Sequence, residues 1–355
     1  MNFKSSINID GTEISTGSKP YIIAEMSANH GGDFQRAKNI IREAANAGAD
    51  AIKFQVYTAD SLTLPLDSKD FVINDKNSLW YGRQLYDLYK EAATPYQWFP
   101  ELFDYSKSLG ITPFASPFDN DAVQLLEELE SPAYKIASFE AVDTELIAAC
   151  VKTGKPVIIS TGMCSEEDID YVLNIVKENG GTEVAILKCT SAYPAKFSEA
   201  NLVTIPEWTK KYGIPVGISD HTLGTVTSVA GCALGAAIVE KHFIDKAEPK
   251  TADSEFSLLP SDLKKLVTEC HMAAESRGVI HYGPVDREIN SLQFRRSLYA
   301  TKDIKENDVF SRKNIRSVRP GYGLEVKLLP EILGKKASRD ISVGTALTKD
   351  LINKF

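Results

Sequence analysis

Short runs of apolar and β-branched residues recur along the chain at 21–28, 51–56, 111–116, 133–138, 156–161, 183–190, 215–220 and 238–243. Between them lie stretches whose apolar positions follow the helical period. In 34–47, Ala37, Ile40, Ile41, Ala44 and Ala45 make one stripe, and Gly48 closes it. In 165–178, Ser165 stands at a cap position, Glu167 and Asp168 fall in the first turn, and Gly180-Gly181 ends the run. Eight strands alternating with helices over about 250 residues predict an α/β fold of the (β/α)8 barrel type. A doubly wound open sheet is the competing architecture, but no GxGxxG follows the first strand.

The pattern breaks in two places. Between the second and third strands, from Thr58 to about Gly110, the connection is long and carries the aromatic stretch LWYGRQLYDLYKEAATPYQW at 79–98. An insertion on this side of a barrel is where specificity is often built, although most of these aromatics are also what would pack it onto the barrel. After a helix over 261–276 comes the polar stretch HYGPVDREINSLQFRR around Gly283-Pro284. Beyond it, 303–315 and 340–352 resemble each other at a spacing of 37 residues, which predicts two β-turn-helix units in a small pseudo-symmetric module. The expected organisation is a barrel over 1–282, a linker over 283–293 and a small domain over 294–355.

Charge sharpens this division. The 355 residues carry 40 Lys/Arg against 48 Asp/Glu, a net −8, but residues 291–355 alone hold 14 against 7. A tail of +7 therefore follows a body of −15, and two such parts attract. The acidic total argues against nucleic-acid binding. Five scattered cysteines (Cys150, Cys164, Cys189, Cys232 and Cys270) form no CxxC pair, so reduced and mostly buried thiols are expected. The first ten residues lack a signal-peptide pattern, and the longest apolar run, at 229–239, is eleven residues. The expectation is a soluble cytoplasmic protein with no membrane or nucleic-acid partner.

A barrel carries its chemistry at the C-terminal ends of its strands, where alternate side chains face inward. All eight predicted ends are polar here. The first offers Glu25, Ser27 and Asn29 on one face, then His30; the second offers Lys53 and Gln55. Next come Ser116, then Lys135 and Ser138, then Ser160 and Thr161, then Lys188, Thr190, Ser191 and Tyr193. The last two strands give Ser219 with His221, and Glu240 with His242. Singly, such groups are usually structural. Together they describe a pocket that would be costly to bury empty. Two inward lysines among hydroxyls read as an anion site for phosphate and carboxylate. Two neighbouring histidines leave open whether a divalent metal binds. Glu25 is the acid–base candidate.

The motifs IIAEMSANHGG (22–32), IKFQVYT (52–58), SPFD (116–119), YKIAS (134–138), STGM (160–163), KCTSAYP (188–194), SDHTLG (219–224) and EKHF (240–243) resemble, in order and spacing, the sialic acid synthase family. The tail, with FRRSLY (294–299) and VRPGYG (318–323), resembles that family's antifreeze-like SAF domain. AEMSANH and LWYGRQLYDLY are most similar to its pseudaminic acid synthases. Sialic and legionaminic acid synthases, the alternatives within the family, usually have Gly where Ser27 stands. The resemblance implies condensation of phosphoenolpyruvate with an acylamino sugar, here 2,4-diacetamido-2,4,6-trideoxy-L-altrose, to a nine-carbon 2-keto acid and phosphate. It implies Lys53, Ser116, Lys135, Ser138, Ser160, Ser191 and Ser219 for phosphoenolpyruvate, with Ser116 and Ser191 standing where the family often has Thr or Asn. It implies His221 and His242 for Mn2+ or Mg2+, and Gln55, Tyr193 and Asp253 near the sugar. Arg319 matches an arginine that the partner's tail supplies in a domain-swapped homodimer. A metal-dependent aldolase or isomerase on the same barrel, and a non-catalytic binding protein, are the readings from other classes.

Overall fold

The computed structural model describes residues 2–76 and 78–355. The chain opens with an antiparallel hairpin of β1 (Ser6–Ile9) and β2 (Thr12–Ser15). Its tight turn uses Asp10 and Gly11, both at positive φ, as a two-residue hairpin loop requires. Eight parallel strands then close into a barrel: β3 (Tyr21–Glu25), β4 (Ala51–Val56), β5 (Thr112–Pro117), β6 (Tyr134–Ile136), β7 (Val157–Ser160), β8 (Val184–Cys189), β9 (Val216–Asp220) and β10 (Ile238–His242). β10 pairs with β3 to complete the cylinder. All eight coincide with the apolar runs of the sequence.

Two apolar layers result from strand alternation. Outward residues such as Ile22, Ile52, Phe54 and Ile186 meet the surrounding helices. Inward residues such as Ile23, Ala51, Phe114, Ile158, Leu187 and Ile238 fill the barrel. Ile7, Ile9 and Ile14 of the hairpin belong to this inner cluster, each at most 1% exposed. The hairpin, which carries no barrel strand of its own, thus seals the barrel at the N-terminal ends of its strands. At Gly217 there is no room for a side chain, because a Cβ would lie 2.5 Å from the Ile238 carbonyl oxygen.

The helix Phe34–Ala47 is capped by Asp33, whose carboxylate accepts from the amides of Gln35 and Arg36, and ends at Gly48 with φ 85°. Ser165 caps Glu166–Glu178 in a reciprocal box with Asp168. The long 58–110 connection divides into two parts. Its last stretch is an ordinary barrel helix, Phe99–Ser108, and the true insertion is the part before it, with short helices Ala59–Leu62 and Leu85–Ala92.

After the helix Pro260–Arg277 the chain divides at Gly278 into a second compact unit, Val279–Phe355. Its own core gathers Leu298, Ile304, Phe310, Ile315, Ile332, Ile341 and Leu347, with β11 (Ser297–Ala300) paired to β12 (Ile315–Val318). Ile304 and Ile341 exchange reciprocal backbone hydrogen bonds of 2.8 Å. These are equivalent positions of the two repeats, so the repeats face each other across a pseudo-twofold axis. Neither repeat contains the expected α-helix; the second ends in a single 3-10 turn, Lys349–Leu351.

The hairpin plug has a measurable role. Ile9→Ala removes a fully buried side chain from the barrel interior and should lower unfolding free energy by about 2–5 kcal/mol, read from urea titration. A loss under 0.5 kcal/mol, the scale of a surface change, would mean that the plug is dispensable.

Candidate active site

On each strand the residue two places beyond an inward apolar one also faces inward, and at the C-terminal mouth that residue is polar. Ile23 is followed by Glu25, Ala51 by Lys53, Phe114 by Ser116, Ile158 by Ser160, and Ile238 by Glu240 and then His242. Lys53 and Lys135 are almost completely buried. Lys53 Nζ lies 2.8 Å from Glu25 Oε2 and 3.5 Å from Glu240 Oε1, and donates to Ser116 Oγ at 3.3 Å. Lys135 Nζ donates to Ser160 Oγ at 2.7 Å and lies 3.7 Å from Glu240 Oε1, which also accepts from Ser219 Oγ at 3.3 Å.

The two carboxylates are not equivalent. Burial alone would push both up, but Glu240 sits between two ammonium groups that hold it below the ordinary range. For Glu25, burial outweighs the Lys53 contact and its pKa is raised. Glu240 is thus the carboxylate that most directly compensates the two lysines, and those lysines with their serines are the groups that would meet an incoming anion. Glu240 is the centre of this cluster. The sequence reading noted its facing direction but gave it no role.

Beside the cluster are the two imidazoles, with ring centroids 5.4 Å apart. His221 Nδ1 lies 3.0 Å from the Thr190 carbonyl oxygen. That contact takes a proton on Nδ1; burial opposes full protonation of the ring, but Cys189 and the Thr190 carbonyl outweigh it and raise its pKa. His242 is held well below its ordinary pKa by burial and by His221, and its buried Nδ1 has no hydrogen-bond partner. Nε2 of His221, once it gives up its proton, and the unsatisfied Nδ1 of a neutral neighbour suit a divalent cation. Among the described residues no group of three His, Cys, Asp or Glu side chains gathers in a metal-holding pattern. Two imidazoles therefore form an open site whose remaining positions fall to water or substrate oxygens.

Outside the cluster the mouth widens into a cavity of about 1060 Å3 lined by Ser27, Gln55, Ser191, Tyr193, His242 and Asp253, among others. Tyr193 packs against His221 with ring centroids 4.4 Å apart and planes tilted by 49°, and Gln55 Nε2 donates to Glu25 Oε1 at 2.8 Å and to Ser27 Oγ at 3.0 Å. Ser27 has φ 45°, a left-handed conformation that costs a non-glycine residue roughly 1–2 kcal/mol. Its contact with Gln55 offsets part of that cost. Ser138 Oγ accepts from the Gly162 amide at 3.1 Å, and a Cβ on Gly162 would stand 2.1 Å from Ser191 Oγ. Glycine is what allows these two serines to come together.

Several strand-end residues turn away. Lys188 points outward and donates to the Cys189 carbonyl, and Thr190 Oγ1 donates to the Glu199 carbonyl. The inward residue of β8 is Cys189, 3.8 Å from His221 Nδ1; burial opposes its ionisation, but His221, Ser138 and Lys135 bring the thiol down to about 7. It is one of five cysteines without a disulfide. His30 is structural: Nδ1 accepts from Gly32, and Nε2 meets Thr94 Oγ1 at 3.0 Å. Asn29 holds the loop that carries Asp253, through the Phe243 carbonyl, Ser257 and Thr251. Arg319 belongs to the second unit, not to the barrel.

One residue escaped the sequence reading altogether. Glu140 lines the cavity, has a buried Oε2 without a partner, and is pushed by burial up to about 7. It stands two residues past Ser138, at the end of the 3-10 turn Ser138–Glu140 that follows the strand.

A barrel that gathers its ionisable side chains at the C-terminal ends of its strands has the architecture of an enzyme. Residues 40–282 match the NeuB family and residues 295–353 match the SAF domain. The chain is 43% identical over 332 residues to the pseudaminic acid synthase of Campylobacter jejuni (strain 81-176), covering 94% of this chain and 96% of that one. It is 37% identical over 341 residues to the pseudaminic acid synthase of Helicobacter pylori, covering 94% and 98%. Among solved structures, the N-acetylneuraminic acid (sialic acid) synthetase of Leptospira borgpetersenii in complex with citrate superposes with a TM-score of 0.73 at 31% identity, covering 83% of this chain and 97% of that one. The chain belongs to the NeuB family.

Glu140 sets a pH signature. Its carboxyl binds a proton more tightly folded than unfolded, so its contribution to stability is present below about 4.5 and is lost as pH rises through about 7. Glu140→Gln should therefore gain stability over the parent at pH 8, on the order of 3 kcal/mol, and none at pH 4. Equal urea midpoints of parent and variant at both pH values would show that Glu140 is not held neutral.

Proposed function

We propose that this chain is a pseudaminic acid synthase that condenses phosphoenolpyruvate with 2,4-diacetamido-2,4,6-trideoxy-L-altrose. The observation that carries the reading is the buried Lys53–Glu240–Lys135 cluster with its serines, set directly beside two imidazoles. Lys53, Lys135, Ser116, Ser138, Ser160, Ser191 and Ser219 bind the phosphate and carboxylate of phosphoenolpyruvate. Gln55, Tyr193 and Asp253 orient the sugar in the wider cavity. His221 and His242 hold a divalent metal, Mn2+ or Mg2+, which when bound supplies Lewis-acid polarisation of the sugar aldehyde.

The bond-making step joins C3 of phosphoenolpyruvate to the aldehyde carbon. A water adds at C2, and the resulting tetrahedral centre breaks its C–O bond to phosphate, leaving the 2-keto acid. Glu25, made a stronger base by burial, takes one proton from that water and passes it to the former aldehyde oxygen, which becomes the new hydroxyl, while the second proton leaves with phosphate as the C–O bond breaks. The lysines neutralise phosphate and carboxylate charge throughout the reaction. The reading places the enzyme in the cytoplasm as a homodimer in which Arg319 of one subunit's tail covers the sugar in the other's barrel. No helix among the described residues is long and apolar enough to cross a membrane.

Mass spectrometry of products from phosphoenolpyruvate and a panel of acylamino sugars tests the reading. The expected result is the nine-carbon acid of the altrose-configured acceptor, with phosphate released only when both substrates are present. EDTA should abolish turnover and Mn2+ restore it. Sugar cleavage or isomerisation without phosphoenolpyruvate would favour an aldolase or isomerase instead.

Subunit mixing tests the shared site. Arg319→Ala and His221→Ala should each be nearly inactive, and their mixture after subunit exchange should recover activity toward half that of the parent per heterodimer. No recovery, with exchange demonstrated by mass tagging, would mean that each tail serves its own barrel.

A further inference from the structure

The cavity beyond the charge cluster is chemically two-faced. The part contributed by the strand ends is polar: Ser27 and Gln55, with Asp253 from the loop after β10. The part contributed by the insertion and its neighbours is apolar: Leu62, Ile73, Leu88 and Ala92, continued by Phe118 and Phe139. The insertion's polar groups in the lining are Asp75 and Ser78, from the segment leading into Trp80, with the Trp80 indole and the Tyr89 phenol, and Glu140 stands next to Phe139. The apolar wall is held in place rather than loosely draped. Tyr57 packs edge-on against both Phe118 (5.2 Å) and Tyr89 (6.2 Å), and Trp80 packs on Tyr193 (5.8 Å) while its Nε1 donates to the Ala252 carbonyl at 3.2 Å.

A purely polyhydroxylated sugar gains little from such a wall, because each hydroxyl turned toward it would lose water without gaining a partner. Methyl groups gain from the same burial. We infer that the insertion wall is a subsite for the methyl-bearing edge of the acceptor, its 6-deoxy carbon and acyl methyls, and that it selects 6-deoxy acylamino sugars over their 6-hydroxy counterparts. The inference rests on the synthase reading above and adds the part of the chain that sets acceptor choice. Leu62 and Ile73 are the residues through which it can be changed most safely, since both are half-buried and outside the barrel core.

The test compares kcat/KM for two acceptors that differ only by the oxygen at C6, at saturating phosphoenolpyruvate. An apolar pocket rejects an added hydroxyl by roughly tenfold to a hundredfold, so the parent should prefer the 6-deoxy acceptor by that factor. Ile73→Ser and Leu62→Ser, made separately, should each reduce the preference several-fold while leaving the KM for phosphoenolpyruvate unchanged, which also reports that the barrel is intact. Equal rates of the parent on both acceptors, or an unchanged preference in both variants, would overturn the subsite and leave the synthase reading standing. Absence of phosphoenolpyruvate-dependent phosphate release with every acylamino sugar would overturn both.

Discussion

Four charged groups buried at one point organise this molecule. Lys53, Lys135, Glu25 and Glu240 come from four different strands, each at most 5% exposed, and their separations depend on barrel closure, since Glu25 ends β3 and Glu240 lies on the adjoining β10. Such a cluster is a poor source of stability. Apolar replacements of similar volume often stabilise a fold, whereas removing one partner leaves an unpaired buried charge. The two apolar layers of the barrel must hold it in place, and the reason to hold it is chemical. A preset arrangement of lysines and hydroxyls meets an anion without reorganising.

The same logic explains which parts of this arrangement were visible in the amino-acid sequence. Strand positions were legible because each apolar run is bounded by turn and cap residues, and the period of two then placed Glu25, Lys53 and His242 on the inner face without further information. Position along a strand end is a weaker guide. Lys188 and Cys189 differ by one residue, and the register of Leu187 in the inner layer, which only the closed barrel reveals, decides that the thiol faces the site and the lysine does not. Pairing was hidden altogether. No spacing rule says that Glu240 stands between two lysines from β4 and β6, so the sequence suggested an anion site of free lysines where the fold holds them already partly compensated. Glu140 and the N-terminal plug were not legible because the first lies just past a strand and the second is a hairpin of two four-residue strands that belongs to no barrel sheet.

The insertion and the second unit illustrate two ways of extending a barrel. The insertion has few buried residues of its own and takes its order from aromatic contacts with the mouth, so its composition is free to follow the ligand. The second unit has a complete apolar core and a near-symmetric pairing of its repeats, so it is stable through internal contacts. This separation is consistent with family matches that fall separately on 40–282 and 295–353.

The hairpin plug has a consequence for traffic through the site. Because Ile7, Ile9 and Ile14 close one end of the barrel, the cluster around Lys53 and Lys135 is the floor of a vessel with a single opening. If the floor receives phosphoenolpyruvate, it must load before the sugar, since a sugar in the outer cavity stands across the way in. Departure is then constrained in the reverse sense: phosphate freed at the floor waits behind the nine-carbon acid. The enzyme becomes a last-in, first-out queue, and phosphate is the product that lingers and competes with the next phosphoenolpyruvate.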